Sequence, residues 1–130
     1  MDDFFRFATM KGGGHRLELT GPIVTSRPWW SEDGEQFACS AEFDAQLKAL
    51  EGEELTVVID SNGGDVAAGI AMYEALRNRK GETHCHIVRA YSAATLPLCA
   101  VPRRNRMISP VGTILIHDPA TSASGTADEL

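Results

Sequence analysis

The sequence has little cysteine and no framework for using it. Its three cysteines, Cys39, Cys85 and Cys99, are odd in number and fall at no disulfide or zinc-pair spacing. Cys85 and Cys99 lie in apolar surroundings and are expected to be small buried residues, which suits a reducing compartment. Positive charge is scarce too. There are 12 Lys+Arg against 18 Asp+Glu, a formal net charge of −6. With no basic stripe interleaved with aromatics, nucleic acid is a poor partner. The one basic cluster, Arg103-Arg104 with Arg106, is most cheaply a solvated turn. No apolar run reaches membrane-spanning length, and no charged-then-apolar leader pattern opens the chain. The expectation is a soluble, cytoplasmic chain with no membrane partner. His84 and His86 share one face of a strand, but two imidazoles without a second ligand pair do not make a zinc site. Neither metal nor cofactor is expected.

What is present is enough apolar residue for a core. At 130 residues and 43% hydrophobic, the chain is one domain or a piece of one. Residues 1–15 read as an N-terminal segment with a flexible joint at Gly12-Gly13-Gly14. A phosphate-cradling loop there would need a strand before it and Lys-Ser/Thr after it. Residues 16–130 read as the domain. Arg16–Thr20 alternates polar and apolar like a half-wet strand, and Ile23-Val24-Thr25 resumes it after Gly21-Pro22. Of Trp29-Trp30, one ring is expected to cover the core edge while the other stays half exposed.

Ser40 is placed to cap a helix from Ala41 to Leu50, with Phe43, Leu47 and Leu50 as its stripe. Leu55–Asp60 reads as a central strand. Asp65–Lys80 reads as a helix with Val66, Ile70, Tyr73 and Leu76 on one face. His84–Arg89 is the next strand, so the unit is βαβ and its strands are parallel with a right-handed crossover. A helix over Ser92–Val101 follows, in which Pro97 costs a hydrogen bond unless the helix starts late or bends. Arg106–Ser109 and Thr113–His117 read as two short strands joined by Pro110-Val111-Gly112. Ala127–Leu130 begins another acidic, helix-like stretch that looks cut short.

The chemistry gathers in three segments. The apolar run Val57-Val58-Ile59 ends at Asn62-Gly63-Gly64, where bare backbone turns into the positive end of a helix. Such a turn suits an oxygen that gains negative charge. Ser92 sits where a strand gives way to a helix, with the Ala93 N–H beside it. His117 ends an apolar run, at a separation of 117 − 92 = 25 residues. A serine needs a base in hydrogen-bond reach to become a nucleophile, and histidine is the usual base. Each signal alone is weak, since a serine before a helix is usually only a cap. Their joint occurrence at strand ends carries the reading.

The order and spacing of these segments resemble the Clp protease proteolytic subunit (ClpP) family, and more closely its phage branch, the prohead or head-maturation proteases. There a strand runs into N-S-P-G-G-x-V, the nucleophile sits in G-x-A-A-S and the base in M-I-H-x-P. Here stand Asp60-Ser61-Asn62-Gly63-Gly64-Asp65-Val66, Ala90-Tyr91-Ser92-Ala93-Ala94-Thr95 and Leu115-Ile116-His117-Asp118-Pro119. The resemblance implies an α/β fold, the ClpP/crotonase-like spiral of ββα units. It implies Ser92 as nucleophile, His117 as general base and then acid, and Gly64 and Ala93 as oxyanion N–H donors. It also implies a ring-like homo-oligomer and ATP-independent endoproteolytic cleavage of phage scaffold or capsid proteins, in the host cytoplasm and the procapsid.

Departures accompany it. Asn62 replaces the turn proline, Ala90 and Tyr91 stand where glycine and alanine are usual, and Pro97 is unusual in the nucleophile helix. The family's acid comes from beyond the histidine, so a C-terminally truncated domain is expected, and Asp118 is not the acid's position. Two other readings stay open: an inactive assembly or binding module of the same fold, and an acyl-CoA enzyme of the crotonase group. The serine–histidine pair argues against the latter.

Overall fold

The computed structural model describes residues 14–117 and 126–128. Most of the expected N-terminal segment (residues 1–13, with Gly12 and Gly13 of its joint), Asp118, Pro119 and the end of the acidic stretch lie outside them. Strands β1 (His15–Thr20), β4 (Leu55–Ser61), β5 (Thr83–Tyr91) and β6 (Arg106–Leu115) form a sheet in the order β1-β4-β5-β6. All three pairings are parallel. β2 (Ile23–Val24) and β3 (Ala38–Cys39) make a separate two-stranded parallel sheet. The interrupted strand at Gly21-Pro22 thus resumes in a second sheet.

Helices α1 (Ser40–Ala49), α2 (Val66–Asn78) and α3 (Thr95–Ala100) complete the layer, and α2 lies against both others. A parallel strand covered on both faces must be apolar nearly throughout, and β4 is: Leu55, Val57, Val58 and Ile59 are all buried. Phe43 and Leu47 of α1 and Met72 and Leu76 of α2 close over it. At the amino end of the strands, buried Arg79 donates to the carbonyls of Leu50, Glu53 and Gly81 and to Thr83 Oγ1. One side chain thereby satisfies the acceptors where α1, α2 and β5 meet.

Several expectations need correction. Ser40 is the first residue inside α1; Cys39 is the cap, with no side-chain bond. The buried face of α2 is Ala68, Gly69, Met72 and Leu76, while Val66 and Ile70 are 49% and 44% exposed. At the start of α2 the small residues Ala68 and Gly69 face inward in place of Val66 and Ile70, because the helix packs close there: a Cβ on Gly69 would come within 2.9 Å of Ala93 O. The helix expected from Ser92 begins only at Thr95, after a 3-10 turn over Ser92–Ala94, and this late start, one of the two accommodations open to Pro97, leaves the proline in its first turn. Thr113–Leu115 and Arg106–Ile108 are one strand pairing with β5, and residues 109–112 are looped out between them. Trp29 is 94% and Trp30 61% exposed, so neither ring covers the core; Trp30 meets Phe37 edge-on at 6.5 Å. Cys99 is exposed, not buried.

Candidate active site at the strand ends

β4 ends at Ser61, and the turn that follows is built for close approach. Gly63 has φ +99°, and a Cβ there would sit 2.6 Å from Tyr91 O, 2.9 Å from Ser92 Cβ and 3.2 Å from Ala93 N. Only glycine lets this backbone lie against the end of β5. Ser61 fixes the turn from within, since its buried hydroxyl donates to Gly21 O at 2.7 Å and accepts from Gly63 N–H at 3.0 Å.

Gly64 bridges in parallel to Ile23. Ile23 N–H donates to Gly63 O and Asp65 N–H donates to Ile23 O, both at 2.9 Å. That pattern uses the groups on either side of Gly64, so its own N–H points away from β2. Asp65 caps α2 by accepting from Ala68 N–H at 3.2 Å. The positive end of α2 therefore follows directly on the glycine turn.

Ser92 is the one non-glycine residue with positive φ (+55°) among the described residues. Such a conformation costs roughly 1–2 kcal/mol. It turns the chain sharply from β5 into the 3-10 turn, in which Thr95 Oγ1 donates to Ser92 O at 2.7 Å. Ala93 is buried, and its N–H stands in the first turn, ahead of any intrahelical acceptor.

His117 lies two residues past Leu115, the last residue of β6. Leu115 is the register partner of Tyr91, the residue just before Ser92. Ser92 and His117 thus leave neighbouring parallel strands at one edge of the sheet, and His117 is exposed there. Tyr91 and Thr113 share a 2.8 Å hydroxyl hydrogen bond across the same strand pair. The structure brings the glycine turn, Ser92 and Ala93 into contact, and puts His117 at the same edge one strand over. Sequence reasoning missed Ser61 and the Tyr91–Thr113 bond. A serine inside the glycine-turn motif was the available signal for the first; nothing local announces a cross-strand hydroxyl pair.

The molecule is thus a parallel α/β protein whose strands end in a strained serine packed on a glycine turn. The family is narrower. The Clp protease family matches residues 35–130, and the chain belongs to it. It is similar to the ATP-dependent Clp protease proteolytic subunit of Dehalococcoides mccartyi, with 36% identity over 92 residues, covering 66% of this chain and 46% of that protein. The subunit of the same description from Chlorella vulgaris is 35% identical over 77 residues, covering 58% of this chain and 38% of that one. The chain therefore spans less than half the length of these relatives. In fold it is similar to ClpP1 from Listeria monocytogenes, with a TM-score of 0.67 at 21% identity over 81% of this chain and 57% of that one. The N165D mutant of that protein gives a TM-score of 0.68. The ClpP-like α/β fold expected from the motifs is the fold observed. Among the described residues no helix is long and apolar enough to cross a membrane.

Proposed function

We propose that this chain carries the nucleophile, base and oxyanion site of a ClpP-type serine endopeptidase. In this reading His117 takes the proton of Ser92 Oγ as that oxygen attacks the scissile carbonyl carbon. The N–H groups of Gly64 and Ala93 receive the developing oxyanion. His117 then gives its proton to the departing amine, and water repeats the sequence in reverse to release the acyl group. The observation that carries the reading is Ser92 itself, held at φ +55° with the glycine turn against its Cβ. A mere helix cap has no need of that strain.

The motif order further supports the phage branch: an ATP-independent enzyme, assembled as a ring of identical subunits, cleaving scaffold or capsid proteins during head maturation. A fluorophosphonate probe should label the full chain at Ser92, and Ser92→Ala should abolish the label. Labelling that survives Ser92→Ala, or its absence from a preparation that folds and assembles, would sink the nucleophile assignment. Cleavage of a scaffold protein without nucleotide would support the phage role, and strict dependence on an ATPase partner would remove it.

One observation favours a second reading. β6 presents an exposed apolar row, Met107, Ile108, Ile114 and Leu115, of the kind used in assembly. A binding or assembly module with the same fold predicts self-association that Ser92→Ala leaves intact while no probe reacts.

A further inference from the structure

We propose that Arg89 is a positioning residue for the glycine turn, holding it in register with the strand that carries Ser92. This rests on reading Ser92 as the nucleophile and adds a second element to that site. Arg89 Nε donates to Asp60 Oδ1 at 3.1 Å, and its Nη1 donates to Asn62 Oδ1 at 3.3 Å. Asp60 and Arg89 are register partners in the β4–β5 ladder, so their side chains leave the sheet on one face as direct neighbours. Asp60 and Asn62 flank Ser61, and Arg89 precedes Ser92 by three residues. One guanidinium therefore ties the end of the strand that makes the turn to the strand that makes the nucleophile.

The turn is gripped from two sides. Within, Ser61 joins Gly21 O to Gly63 N–H. Outside, Arg89 holds Asn62. Asn62 has particular need of the second grip. An asparagine tolerates a turn without fixing its dihedrals, whereas a proline at that place fixes φ covalently. Tying the Asn62 amide to the neighbouring strand limits its swing, and with it the swing of the Gly63 and Gly64 amides next in the chain. The planar fork of arginine reaches two acceptors in fixed geometry, which a lysine ammonium does not reproduce. The side chains of Arg89 and Asp60 are 45% and 32% exposed, so the effect is modest.

The test is the rate at which a fluorophosphonate labels Ser92 in the full chain. Arg89→Ala should slow it roughly twofold to fivefold, the upper part of the range of an exposed ion pair, with the melting temperature little changed. Arg89→Lys should recover only part of the loss. Asn62→Ala should slow labelling similarly, and the double variant should fall no further. In an Asn62→Pro background, Arg89→Ala should have no effect, an outcome that a general structural role for Arg89 does not produce. An unchanged rate in Arg89→Ala, or fully additive losses in the double variant, overturns the proposal. If the parent chain does not label at all, the nucleophile reading fails instead. The clamp is then decided by hydrogen exchange: faster exchange at the Gly63 and Gly64 amides in Arg89→Ala supports it, and unchanged exchange overturns it.

Discussion

The two sides of the sheet are made of the same residue types and stand in opposite surroundings. On β4 and β5, Leu55, Val57, Ile59, Cys85, Ile87 and Ala90 are each 2% exposed or less. On β6, Met107, Ile108, Ile114 and Leu115 are between 43% and 57% exposed. An apolar run thus sets the strand but not its burial, which depends on what packs over it. The consequence for the candidate site is unequal support. Ser92 and the glycine turn grow out of strands fixed by core packing. His117 extends from a strand held mainly by its backbone ladder to β5. Segments with few buried apolar contacts open first, so the His117 side of the candidate site should be the softer one.

The largest way to break this comparison is at the contact between the turn and Ser92. In Gly63→Ala the new Cβ meets backbone, not a yielding side chain, at a φ of +99°. Left-handed strain of roughly 1–2 kcal/mol and overpacking of roughly 1–3 kcal/mol add to a loss of about 2–5 kcal/mol. Urea unfolding should show that loss, and probe labelling at Ser92 should vanish with it. A variant within about 0.5 kcal/mol of the parent, as for an ordinary surface change, would show that the turn and the serine are not held as tightly as the distances imply.

A matched pair of truncations sharpens the contrast between the strands. Ile59 is fully buried in β4, and Ile114 is 43% exposed in β6. Ile59→Ala should cost about 2–5 kcal/mol, as large-to-small changes in cores do. Ile114→Ala should cost less than about 1 kcal/mol, because much of its surface is already in water. Equal losses in chemical denaturation would mean that β6 is as well packed as β4 and that the two sides do not differ.

Much of this was legible in the chain because it rests on local chemistry. The βαβ unit follows from one apolar run, one helix and a second apolar run, although Asp65, read as the first residue of that helix, is its cap, and the helix ends at Asn78, before Lys80. The contact of the Gly63 turn with Ser92 and Ala93 follows from parallel strands ending at one edge. What escaped depends on distance between helices and on burial. The large residues Val66 and Ile70 give α2 one apolar face, yet close approach to Ala93 and Leu96 requires the small face instead. Trp29 and Cys99 are apolar by composition and exposed by position. The merging of two apparent strands into β6 depends on a common partner, β5, which no local pattern names. Arg89 looks like any polar residue in a strand until its register partner Asp60 is known.

The cysteines carry the contrast to its smallest effect. Cys85 is buried in β5, and burial pushes its thiol up to about 11 from the ordinary 9.0, with the Met107 backbone and Arg106 pulling weakly the other way. Cys99, on α3 beside the apolar face of β6, is exposed. Between pH 9 and 11 the unfolded chain loses the Cys85 proton while the folded chain keeps it. The unfolded state then binds fewer protons, so stability falls as pH rises through that window and is unaffected by this group below it. The full loss is on the order of 3 kcal/mol. It should appear as the difference between the parent and Cys85→Ala in denaturant melts across the window, since the two proteins differ in that one group. A maleimide at neutral pH should modify Cys99 in the native protein and reach Cys85 only after unfolding. Native modification of Cys85 at a rate like that of Cys99 would place β5 in the same open surroundings as β6 and erase the difference between the two sides of the sheet.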